Sequence, residues 1–129
     1  MEVLALDIGY TTGWAYFKNS KVRTVGAFVI EDADEAYTHI RTLGQPVHVV
    51  VEKPVIIRGP LGDTMAGLIA RTEAEYGDHI YYVSPSQWKP HPLVRDMKAK
   101  IKNLGYTQHE KDAVCIGAWY LFVHLQVEA

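Results

Sequence analysis

The chain has a single cysteine, Cys115, in 129 residues, so no internal disulfide can form, and no cysteine–histidine cluster has the spacing of a structural zinc site. Long apolar runs are also missing. None approaches the ~20 residues needed to cross a bilayer, so a membrane is not an expected partner. There is no internal repeat, low-complexity tract or linker, which predicts one domain over residues 1–129. The opening Met1-Glu2-Val3-Leu4-Ala5-Leu6-Asp7 has an acid on each side of a short apolar run and no basic region, unlike a secretory signal. A reducing, cytoplasmic setting is the expectation.

An excess of positive charge is lacking too. Thirteen Lys and Arg against 15 Asp and Glu give a net charge of −2, which as a total argues against a nucleic-acid partner. The distribution argues the other way. Lys89, Arg95, Lys98, Lys100 and Lys102 face only Asp96, so residues 89–102 carry +4 and the remainder −6. A solvated charge run has this form. So does a metal nuclease, in which clustered carboxylates need cations: two Mg²⁺ would move the total from −2 to +2.

What is present is the composition of a globular domain, 48% hydrophobic and 22% charged. Val3-Leu4-Ala5-Leu6 predicts a buried strand that ends at the Asp7-Ile8-Gly9 turn. Thr12 to Phe17 and Lys21 to Ile30 predict two more strands, joined by a turn at Asn19-Ser20 into an antiparallel meander. Asp32, with Glu35 three residues on, predicts a capped helix that stops at Gly44. The β-branched run Val47-His48-Val49-Val50-Val51-Glu52 reads as a central strand covered on both faces. Leu61, Met65, Leu68, Ile69 and Tyr76 recur at helical spacing, and His79 to Val83 is a fifth strand. Ser84 to Lys89 is a turn or a single helical turn. Pro92 opens a helix with Val94, Met97, Ile101 and Leu104 on one side and Arg95, Lys98 and Lys102 on another, ending at Gly105. Thr107 and Glu110 form a capping box for a last, mostly buried helix that runs to about Leu125. The fold class expected is α/β, a mixed five-stranded sheet flanked by helices.

Three acids occupy unusual places. Asp7 ends the first strand, Glu52 ends the central strand, and Asp112 lies in the first turns of the last helix with His109 one turn earlier on the same face. Taken singly each has an ordinary explanation: Asp7 as a turn former, Asp112 as a partner of the helix dipole, His109 as a surface or capping residue. Glu52 is harder to dismiss, because a strand end beside a buried run is a costly place for an unpaired charge. If the first and fourth strands are neighbours, Asp7 and Glu52 project from one end of the sheet. Such oxygen-rich sets suit Mg²⁺ or Mn²⁺, and two ions stabilise both the attacking and the leaving oxygen in phosphate displacement.

With these motifs in place the chain resembles the RuvC-like Holliday junction resolvases, which have an RNase H-like fold. Leu4-Ala5-Leu6-Asp7-Ile8-Gly9-Tyr10-Thr11-Thr12-Gly13-Trp14-Ala15 is similar to their first-strand motif, and Val49-Val50-Val51-Glu52-Lys53-Pro54 to the second acidic motif. Ser84-Pro85-Ser86-Gln87-Trp88-Lys89 resembles the segment before their basic region, and His109-Glu110-Lys111-Asp112-Ala113 their final motif. The resemblance implies a homodimer that nicks two strands of a four-way DNA junction symmetrically. It implies metal ligation by Asp7, Glu52 and Asp112, with His109 where many relatives have a fourth acid, and a catalytic or phosphate-binding role for Lys89. Lys53, Arg58, Lys89, Arg95, Lys98 and Lys102 are the expected DNA contacts, tracking phosphates without reading sequence. In place of the family's aromatic wedge the chain has Val55-Ile56-Ile57, apolar side chains of the kind that push between bases. The helix around Met65-Ala66-Gly67-Leu68-Ile69-Ala70 is the candidate dimer contact, and the short length points to a phage-type member.

Three other readings compete. The Asp7 to Thr12 segment also resembles the phosphate loop of sugar kinases and actin-like ATPases, which need two such domains where 129 residues supply one. YqgF-like nucleases acting on RNA share the first motif, but Glu52-Lys53-Pro54 and the segment to Lys89 fit the resolvases better. A catalytically silent junction binder has no need to collect acids beside DNA phosphates.

Overall fold

Residues 1–55 and 58–128 are described in the computed structural model. Strand β1 (Glu2–Asp7) leads through a tight turn into β2 (Thr11–Lys18) and β3 (Lys21–Val29), which form the expected meander. Helix α1 (Ala33–Arg41) follows, then β4 (His48–Glu52), α2 (Pro60–Tyr76), a short 3₁₀ turn (Gly77–His79) and β5 (Ile80–Val83). The chain closes with the single turn α3 (Pro85–Trp88), α4 (Pro92–Ile101), α5 (Gln108–Trp119) and a π-helical end (Tyr120–His124). The sheet order is β3-β2-β1-β4-β5, with β1–β2 and β2–β3 antiparallel and β1–β4 and β4–β5 parallel.

The mixed sheet has helices on both faces because its central strands are apolar on both. Successive strand residues point to opposite sides. Leu4, Leu6, Val49 and Val51 therefore pack with Ile40, Met65 and Leu68 of α1 and α2. Val3, Ala5 and Val50 pack with Val94, Ile101 and the buried run Ala113–Ile116 of α4 and α5. Each of these branched side chains contributes ~1.5–3 kcal/mol by leaving water. Val49 and Val50 are fully buried, which explains the unbroken β-branched run.

Small residues set how closely α5 approaches the sheet. Gly13 and Gly117 have neighbours where a side chain would stand: a Cβ on Gly13 would collide with the backbone of His109, and one on Gly117 with the Phe17 ring. Both capping signals in the sequence are used. Asp32 Oδ1 accepts from the Glu35 amide at 2.9 Å, and Thr107 and Glu110 form the reciprocal box at the start of α5.

Boundaries differ from the sequence expectation in particular places. Helix α1 ends at Arg41 with Thr42 as its cap, and Gly44 instead provides clearance for the Tyr16 ring. Helix α4 ends at Ile101, so Leu104 is exposed and does not join Val94 and Ile101 on the apolar side. The last helix widens beyond Trp119, where the Leu125 amide donates to the Tyr120 carbonyl at 2.9 Å, five residues back. Ile56 and Ile57 of the expected apolar wedge lie outside the described residues; Val55 is exposed. Among the described residues, no helix is long and apolar enough to cross a membrane.

Replacing Gly13 with Ala tests the close contact with α5. The extra methyl forces the start of the helix away, and urea unfolding should show a loss of about 1–3 kcal/mol.

Candidate active site at the ends of β1 and β4

The parallel register pairs Asp7 with Glu52 at the last step of β1 and β4. Alternation puts Asp7 on the side of Val3 and Ala5, and Glu52 on the side of Val50; both therefore face α5. Two local bonds hold this end closed. The Ile8 amide donates to the Glu52 carbonyl at 3.3 Å, and the buried Thr12 hydroxyl donates to the Gly9 carbonyl at 3.0 Å, bracing the turn after Asp7. Gly13 is the antiparallel partner of Asp7, so the backbone of His109 crosses the sheet next to that carboxyl.

Crowding shows in the acidity of Asp7. Burial first, then the adjoining Glu52 carboxyl, then Asp112, push its pKa up to about 7, while Lys89 pulls it down. Asp112 and Lys89 thus lie within electrostatic reach of the Asp7–Glu52 pair. Asp112 is half-buried, and its Oδ1 accepts from Gln108 Nε2 at 2.8 Å. His109 is exposed at the first turn of α5. Among the described residues, no three or more His, Cys, Asp or Glu side chains converge as a set of potential metal ligands. The structure brings Asp7 and Glu52 into contact with Asp112 nearby, and it does not gather all four expected ligands.

That pair suits a hard divalent cation. Among the described residues neither carboxylate forms a salt bridge, and Mg²⁺ commonly uses one or two carboxylates with water filling its other positions. Two carboxyls pressed together without a paired cation are an arrangement that a bound ion would relieve.

The expected DNA contacts are all exposed but not all together. Lys98 and Lys102 line a groove of about 300 Å³ between α4 and the start of α5, with Gln108 and Lys111. Lys89 belongs to the carboxylate pair's surroundings. Lys53 stands apart with its Nζ 4.0 Å from the centre of the Tyr82 ring, beside a groove of about 390 Å³ lined by Val55, Met65, Ala66, Ile69 and Ala70. Arg58 and Arg95 are on the surface.

Trp88, Gln108 and Lys111 have no role in the expectation from sequence. Trp88 is fully buried, and its Nε1 donates to Glu52 Oε1 at 2.7 Å. One signal for it was available: a tryptophan in an otherwise polar turn needs both a pocket for its ring and an acceptor for its N–H. Gln108 and Lys111 become visible only once α4 and α5 are packed.

No protein-family model and no curated protein matches the sequence. Solved structures do match. RuvC of Thermus thermophilus in complex with a Holliday junction substrate superposes with a TM-score of 0.71 at 17% identity, over 98% of this chain and 96% of that one. A second Thermus thermophilus RuvC structure gives 0.67 at 18% identity, over 98% and 96% of the two chains. The Fowlpox virus resolvase, in complex with substrate Holliday junction DNA, gives 0.61 at 16% identity, over 92% and 97%.

The Asp7 shift makes a prediction about stability. Between the unfolded value of 3.8 and the folded value of about 7, the native state holds the proton that the unfolded chain releases, so stability falls as pH rises through this window. In EDTA at pH 8, Asp7→Asn should raise the melting temperature, because the amide can donate to Glu52 without the repulsion. Discounted for solvent screening, the gain is on the order of 1 kcal/mol, roughly 4 °C. It should vanish below pH 4, and calorimetry across that range measures it.

With 92–98% of the chain aligned to these three structures, the protein has the RNase H-like fold of the RuvC-like resolvases.

Proposed function

We propose that the chain is a metal-dependent endonuclease that resolves Holliday junctions and related branched DNA by paired nicks. The observation that carries this is the Asp7–Glu52 carboxylate pair, joined in register at the ends of two parallel strands and bordered by Asp112 and Lys89. Two of the solved structures with this fold are complexes with Holliday junction DNA, which supports the choice of substrate.

In this reading Asp7 and Glu52 would hold Mg²⁺ or Mn²⁺, with Asp112 and His109 as the further ligands. Ions held there would supply an acidified water and offset charge on the leaving oxygen. The chain's own residues do the rest. Glu52 and Asp7 are fixed to adjacent strand ends and need little reorganisation to meet a phosphate. Lys89, which acts electrostatically on Asp7, would donate to a non-bridging oxygen and steady the pentacovalent phosphate. Lys98, Lys102 and Lys111 continue the cationic surface along the α4–α5 groove, where a strand's phosphates can lie. Arg95 on α4 extends this surface, and Lys53 and Arg58 are further DNA contacts in this reading. A homodimer formed through α2, whose exposed Ala66 and Ala70 permit close approach, would present two such sites to one junction.

The test is a labelled four-way junction and a linear duplex of the same sequence, each with and without Mg²⁺. Wild type should give paired nicks in the junction only, and Asp7→Asn and Glu52→Gln should each lower the rate by at least about 10³-fold while still binding. Cutting of structured RNA with no action on the junction would overturn the substrate assignment. Lys98→Ala with Lys102→Ala should weaken junction binding in EDTA and reduce the salt dependence by about two counterions, read from the slope of log K against log salt.

A further inference from the structure

The Trp88 indole joins the carboxylate pair to the cationic surface. Its ring is fully buried among Val83, Val94 and the α5 core, and its N–H donates to Glu52 Oε1 at 2.7 Å. The α3 turn that carries it is locked by a capping box between Ser84 and Gln87, in which the Ser84 amide donates to Gln87 Oε1 at 2.8 Å. The donor is therefore rigid in both backbone and side chain. Over the ring lie two lysines, with Lys89 Nζ at 5.5 Å and Lys98 Nζ at 6.0 Å from the ring centre.

A buried tryptophan can be simple core filling whose N–H has found an acceptor. A second buried indole is informative here: Trp14 Nε1 has no partner among the described residues. Satisfying an indole is thus not automatic in this core, and the Trp88–Glu52 bond is specific to the active-site end.

We infer that Trp88 is a positioning residue, whose neutral N–H fixes one oxygen of Glu52 so that the other is presented to a divalent cation beside Asp7. The chemistry favours an indole over other donors. A Lys or Arg bonded to Glu52 would neutralise the carboxylate and compete with the ion. The indole donates one hydrogen bond, accepts none and does not titrate in the working pH range. Groups that orient a ligating carboxylate in this way typically change metal affinity by 10–100-fold. The same ring fixes where Lys89 and Lys98 stand relative to that carboxylate, and so the spacing between the ion-holding and phosphate-holding groups. This inference rests on the reading of Asp7 and Glu52 as metal ligands and is independent of which nucleic acid is cut.

The experiment is Mn²⁺ binding, followed by the loss of the free-ion paramagnetic resonance signal, for wild type, Trp88→Phe, Glu52→Gln and the double variant. Phe keeps an aromatic face for the lysines and removes only the donor. Trp88→Phe should weaken Mn²⁺ binding by on the order of ten-fold, leave junction binding in EDTA unchanged, and add nothing in the Glu52→Gln background. Equal Mn²⁺ affinity in wild type and Trp88→Phe would overturn the inference, as would the same loss in both backgrounds, since a packing defect acts without Glu52. If Trp88→Phe does not fold, indole N–H resonances of the wild type carry the test. The Trp88 signal should shift on Mg²⁺ titration while that of Trp14 stays fixed, and an unmoved Trp88 signal overturns the proposal. No Mn²⁺ binding by wild type removes the metal reading and this inference together. Trp88-dependent binding with an uncut junction removes only the substrate assignment.

Discussion

The parallel pairing of β1 with β4 is the constraint from which the candidate site follows. Five register pairs run from Val3–His48 to Asp7–Glu52, and all but the last step is buried apolar packing or strand entry. The buried part of this ladder holds the two carboxyls in contact at its open end. Their repulsion is sustained by the valines and leucines beneath them, not by local ion pairing. A site assembled in this way is rigid without being comfortable, and the raised pKa of Asp7, from burial first and the Glu52 carboxyl second, is the measure of that discomfort.

The second requirement is that α5 come close. A helix whose N-terminal turn must deliver Asp112 to a sheet end cannot stand off at the distance that large side chains impose. Gly13, opposite Asp7 on β2, removes the obstacle, and Gly117 does the same above Phe17. The first-strand motif thus holds two unrelated devices: Asp7 for charge, and Gly13 for clearance six residues later. Thr12 between them is buried and bonded to Gly9, which ties the turn to the strand and keeps the two in fixed relation.

Polarity around the pair is arranged in layers. The carboxyls form the centre, a neutral indole contacts Glu52, and lysines lie beyond the indole and along the α4–α5 groove. No cation is bonded to Asp7, Glu52 or Asp112 among the described residues. Lys89 acts on Asp7 through space and not through an ion pair. The overall charge of −2 conceals this separation.

Much of this was readable in the chain itself. The β-branched run ending in Glu52, the short apolar strand ending in Asp7 and the two capping motifs are local patterns, dictated by periodicity and by the hydrogen-bond needs of helix ends. They marked the strands and helices and put Asp7 and Glu52 at strand ends, where the structure has them, and the likeness to the resolvases indicated the fold. The helices end at Arg41 and Ile101, short of Gly44 and Gly105, which lie in the loops beyond, Gly44 against the Tyr16 ring and Gly105 with positive φ beside the exposed Leu104. The bond from Trp88 to Glu52 spans 36 positions, and the basic groove takes residues from two helices. Sequence by itself determined which residue types sit at which element ends, because those choices answer to neighbours a few positions away. Only the tertiary structure decided which of them meet, because register, face and clearance are fixed by packing between distant segments.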